Sequence, residues 1–89
     1  MWVKGQKNGI VNLDSVSVIA VAKKKIGSRD TGDYHLRAWL TSSEKDSFVI
    51  YESKDRGKLF AIISHIYECI ERGDVVLDIN DFAKSLKNR

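Results

Sequence analysis

The 89-residue chain has no proline and a single cysteine, Cys69. Without proline, its turns have to be written with glycine, asparagine and aspartate. One cysteine excludes an intramolecular disulfide and suits a reducing compartment. Metal ligands are just as sparse. Two histidines and one cysteine, with no Cys-x-x-Cys or His-x-x-x-His spacing, argue against a metal centre, which needs three or four ligands. Gly27, Gly32 and Gly57 fall into no phosphate-cradling pattern. No apolar run approaches the roughly 20 residues of a membrane span, and Gln6, Lys7 and Asn8 interrupt any secretory leader core. These absences predict a cytoplasmic protein with no cofactor, no metal and no membrane association.

What is present is globular in character. Hydrophobic residues make up 43% and charged residues 30%, a balance that separates it from disordered chains. The length predicts one domain over residues 1–89, burying on the order of 60–65% of its unfolded surface. A net charge of +3 and a pI near 9.1 are mildly basic, short of a dedicated duplex-DNA binder.

Hydrophobic periodicity orders the chain. Trp2–Lys4 reads as a short strand, Lys7-Asn8-Gly9 as a hairpin turn and Ile10–Leu13 as the return strand. Asp14-Ser15 makes a turn or bulge before a β-branched strand over Val16–Ala22. Lys23–Asp33 reads as a polar connection, Tyr34–Leu40 as the fourth strand, Thr41–Asp46 as a turn and Ser47–Glu52 as the fifth strand. The period then changes. Ser53 is placed to N-cap a helix from Lys54, with Leu59, Ile62, Ile63, Ile66 and Ile70 at helical spacing, Phe60 and Tyr67 widening the stripe, and Gly73 as C-cap. Val75–Leu77 reads as a short extended piece. Asp78 or Asn80 then caps a last short helix through Phe82 and Leu86, ahead of the basic tail Lys87–Arg89.

Strands in sequence followed by one amphipathic helix predict an α+β fold. The expected form is a five-stranded antiparallel meander with a long helix across one face and a short C-terminal helix. By alternation the helix should cover Val16, Val18, Leu36, Leu40, Phe48 and Ile50. The second face should receive Ile19, Val21, Trp39, Val49 and Tyr51. That second face is too apolar for a sheet wetted on one side. It calls for a cover: the C-terminal segment or sheet curvature, a second copy of the chain, or a foreign partner.

The opening Met1-Trp2-Val3, the Val11-Asn12-Leu13-Asp14 stretch, and Tyr51-Glu52-Ser53 leading into an apolar helix resemble a group of small, uncharacterised proteins of Gram-positive bacteria and their phages and mobile elements. Those proteins begin Met-Trp-Ile/Val, continue through a Val-Asn strand and end in a similar helix. The resemblance implies a compact bacterial α+β domain and carries no activity. The basic connection at 23–33 and the tail past Asp78 depart from the group's shorter form.

Strand 34–41 carries the most chemistry. Its second face presents His35, Arg37, Trp39 and Thr41, the residue mix of a recognition surface. With Lys23, Lys24, Lys25 and Arg29 at the hairpin tip and Tyr51 on the neighbouring strand, it interleaves cations with aromatics, as single-stranded nucleic acid binders do. The ordinary alternative is Trp39 and Tyr51 packed beneath a helix while the lysines solvate a loop. Lys54, Arg56 and Lys58 place cations at the positive end of the main helix, against the helix dipole, which marks either an anion site or a solvated turn. Cys69 and His65, one helical turn apart, are a minimal nucleophile–base pair without an orienting group, or a buried cysteine beside a histidine. The pattern predicts a non-enzyme. The leading expectation is a protein-interaction module, self-associating through its second sheet face; the alternative is a binder of single-stranded nucleic acid.

Overall fold

The computed structural model describes residues 1–7, 9–41 and 46–86. Its elements run β1 (Trp2–Lys4), β2 (Ile10–Asn12), a 3₁₀ turn (Leu13–Ser15), β3 (Val16–Ile26), β4 (Arg29–Leu40), β5 (Ser47–Ser53), α1 (Arg56–Arg72), β6 (Val76–Asp78) and α2 (Ile79–Leu86). The class is α+β, but the strands do not form one meander of five. They divide into two sheets of three, ordered β2-β1-β6 and β3-β4-β5. The division falls at the 3₁₀ turn, where the Asn12 side chain accepts from the Asp14 N–H at 3.1 Å and redirects the chain before β3. The third strand of the small sheet is the extended piece after α1. It returns to lie parallel to β1, Trp2 opposite Val76 and Lys4 opposite Asp78. A pairing across more than seventy residues leaves no local sequence signal.

The small sheet contributes Val3, Val11 and Leu77 to the core. Its hairpin sits on the larger sheet through close packing. A Cβ on Gly9 would lie 2.5 Å from the Phe48 ring, and one on Gly5 would lie 3.0 Å from the Ile50 carbonyl oxygen. Asn8, the predicted turn residue, lies outside the described residues, as do residues 42–45 of the turn after β4 and the Lys87–Arg89 tail.

In the large sheet two bulges rearrange the predicted faces. Val16 pairs with Leu40, but Val18 pairs with Trp39, leaving Ser17 as an extra residue. One extra residue reverses the alternation beyond it. Val18 therefore joins Trp39 on the second face, while Ile19 and Val21, opposite Ala38 and Leu36, turn to the core side. In β5, Val49 opposes Arg37 and Tyr51 opposes Leu36, so Tyr51 also belongs to the core side and is buried there with Leu36 and Ala38.

The stretch read as a polar connection is instead strand. β3 and β4 continue to a two-residue turn at Gly27-Ser28, with Ile26 opposite Arg29 and Gly27 at φ +64°. Gly32, at φ +79°, and Lys24 sit at a second irregularity, closed by the Thr31 hydroxyl donating to the Lys24 carbonyl at 2.9 Å. β5 reaches only to Tyr34, so the rest of the hairpin projects as a two-stranded arm.

Helix α1 begins two residues later than predicted, and its N-cap is Asp55, whose carboxylate accepts from the Lys58 N–H. Ser53 instead accepts from the Asp55 N–H at 3.0 Å. The buried stripe is Leu59, Ile62, Ile66 and Cys69. Ile70 at 52%, Phe60 at 51% and Tyr67 at 63% are exposed: the seam runs at spacings of three and four, and Cys69 fills its last position. Gly73 at φ +77° ends the helix, the Gly73 and Asp74 N–H groups donating to the Ile70 and Cys69 carbonyls in the pattern of a Schellman cap. Asp78 accepts from the Asn80 N–H at 2.9 Å and starts α2. Among the described residues, no helix is long and apolar enough to cross a membrane.

Candidate interaction surface

Helix α2 does not cover the second face of the large sheet. It packs on α1 and β1, and Phe82 stacks on His65 with ring centroids 3.9 Å apart. Val18, Trp39 and Val49 take no part in the core cluster. Val18 is 52% exposed and lies across from Trp39. Ala20 and Ala22, cross-strand from Arg37 and His35, widen this apolar half.

Beside it lies a satisfied polar network. Lys24 Nζ contacts Glu52 Oε2 at 3.1 Å, which lowers the Glu52 pKa. His35 is only 8% exposed and accepts at Nε2 from Arg37 Nε at 3.0 Å. Arg37 also donates to the Ser47 hydroxyl. An arginine only donates, so this geometry requires an unprotonated Nε2. Burial first, then the Arg37 and Lys24 charges, lower the His35 pKa against the opposing pull of Glu52.

Of the residues singled out from the sequence, Lys24, His35, Arg37 and Trp39 come together on this face. Lys23 pairs with Asp30 at 3.9 Å, while Lys25 and Arg29 stand exposed on the arm. Tyr51 is on the other side of the sheet, with Lys58 Nζ 5.3 Å above its ring. Arg56 lies 6.0 Å from the Tyr34 ring and 5.8 Å from that of Phe60. The cations at the head of α1 thus rest on aromatic faces, and the Asp55 carboxylate already caps the helix end. Lys54 is exposed beside them.

Cys69 and His65 do meet, Sγ to Nε2 at 3.6 Å, with Arg72 donating to the sulfur at 3.2 Å. Burial, followed by a hydrogen bond to Asp74, raises the Cys69 pKa, the reverse of what a nucleophilic thiol needs. Among the described residues, no group of three His, Cys, Asp or Glu side chains is placed to hold a metal ion.

Two surfaces were not singled out from the sequence. Trp2 at 47%, Ile10 at 62% and Val76 at 67% exposure share the outer face of the small sheet, around the Lys4–Asp78 ion pair at 3.7 Å. Alternation about the buried Val3 and Val11 carries the signal for Trp2 and Ile10. Ile70 is the second, standing beside β3 in a groove of about 270 Å³. No known protein family, curated protein or solved structure matches this chain.

Proposed function

We propose that the protein is a small non-enzymatic interaction module that self-associates through the uncovered face of its large sheet. The carrying observation is Val18, 52% exposed and cross-strand from Trp39 on a face outside the core cluster. Apolar surface of this kind gains by leaving water. Lys24 and Glu52 pair with each other, and Arg37 is hydrogen-bonded to His35 and Ser47, so covering this half leaves none of these side chains wholly without partners. Binding of single-stranded nucleic acid has weaker support. Lys24 is neutralised by Glu52, Arg37 is engaged by His35 and Ser47, and Tyr51 is buried on the opposite side.

An amide NMR concentration series, followed by titration with a mixed-sequence single-stranded oligonucleotide at low and high salt, tests this reading. The expected result is concentration-dependent shifts at Val18, Ala20, Trp39 and Val49, and no response to the oligonucleotide. Salt-sensitive oligonucleotide shifts at Lys23–Lys25, Arg37 and Trp39 would replace it with nucleic-acid binding. A spectrum indifferent to both would overturn it.

A further inference from the structure

We infer that the partner is a second copy of the chain, joined edge to edge through β3 in antiparallel orientation, so that two three-stranded sheets become one of six. The inference rests on the self-association proposed above and moves its contact from the sheet face to the β3 edge that Val18 borders. β3 is an outer strand of its sheet, and among the described residues no strand pairs with its far side. Between its two irregularities, Val18–Ala22 runs in regular register with no charge and no proline. Natural proteins protect an outer strand with charges, proline, bulges or brevity; here the irregularities and Lys23–Lys25 lie at the ends, and Val18–Ala22 between them carries no charge.

Both flanks of the edge are apolar. Val18 is 52% exposed on the sheet's uncovered side and Ile70, from α1, is equally exposed on the other. Leu13, Val16 and Ile19 complete the groove between β3 and Ile70.

Charge selects the occupant and its direction. Near the start of β3 lies Asp14, its side chain 83% exposed and 3.7 Å from the N-terminal ammonium. At the far end are the exposed Lys25 and Arg29. Antiparallel pairing of two identical strands about a two-fold axis sets each Asp14 toward the partner's basic arm. Parallel pairing would set like against like.

The test is sedimentation equilibrium of the full chain from micromolar to millimolar concentration, with amide hydrogen exchange at each concentration. Wild type should form dimers, with outward-facing β3 amides between Val18 and Lys23 protected only in the dimer, and high salt should weaken it. The double variant Val18→Lys with Ile70→Lys, at two positions already half in water, should fold normally. It should raise the dissociation constant roughly tenfold or more, the effect of placing unpaired cations in an interface. Val76→Lys, on the outer face of the small sheet, should leave it unchanged. A dimer that tolerates Ile70→Lys, lacks β3 protection and is broken by Trp39→Asp would overturn edge pairing while leaving association through the sheet face intact. A dimer broken only by Val76→Lys would overturn both, as would a chain that stays monomeric throughout.

Discussion

Gly9 lets the β1–β2 hairpin lie against the Phe48 ring, and the space it leaves is already used. Its missing Cβ would come within 2.5 Å of Phe48. Gly9→Ala should therefore destabilise the protein by about 1–3 kcal/mol through overpacking, measured as a lower urea midpoint at unchanged slope. His35 sets a second expectation. Its folded pKa lies below the ordinary 6.5, so the unfolded chain takes up a proton that the folded chain refuses. Stability is intact above about pH 6.5 and falls as pH drops below it, because protonating Nε2 removes the acceptor for Arg37. Melting temperatures between pH 7.5 and 5.5 should decline in wild type and flatten in His35→Gln. Neither residue's role was legible in the sequence. His35 sits one place from Leu36 in a clear alternation and reads as surface, and only the fold reveals Arg37 and Glu52 around it.

At the scale of elements, α1 was the most legible, because a 17-residue helix repeats its buried spacing often enough to stand out. Its cap was displaced by two residues, since Ser53 and Asp55 are both good N-cap types. Asp55→Ala should cost about 1 kcal/mol and Ser53→Ala clearly less, compared by thermal or chemical denaturation. The helix also encloses Cys69, 1% exposed and with its pKa raised. A thiol reagent should label it only as fast as the protein opens, and denaturant should release the reaction at once. The strands were legible as strands, but their faces were not. The signal was present in the adjacent apolar pairs Val18-Ile19 and Ile50-Tyr51, where strict alternation fails. A sequence does not say whether such a failure marks a sheet covered on both sides or a bulge, and here it marks bulges. Lys23–Asp33 reads as a connection because its polar composition suits either a loop or a hairpin arm wetted on both faces.

As a whole the molecule is a slab of 39 × 38 × 20 Å, thin enough for one sheet layer and one helix layer. The β1–β6 pairing that divides the strands into two sheets was beyond sequence reading, because it joins segments at opposite ends of the chain. The Gln6 side chain has a consequence at this scale. Its amide oxygen accepts from the Glu52 N–H at 2.8 Å, its nitrogen donates to the Glu52 carbonyl at 3.4 Å, and its own N–H donates to the Ile50 carbonyl at 2.8 Å. One residue thus occupies, on the far side of β5, the positions a further strand would take. The large sheet is consequently a template with a single growing end. Two copies joined at β3 consume both growing ends, and polymerisation terminates at the first step. Gln6→Ala keeps the bond to the Ile50 carbonyl and opens only the Glu52 amide group, so it should lower the urea midpoint without converting the protein into aggregates that bind amyloid dyes.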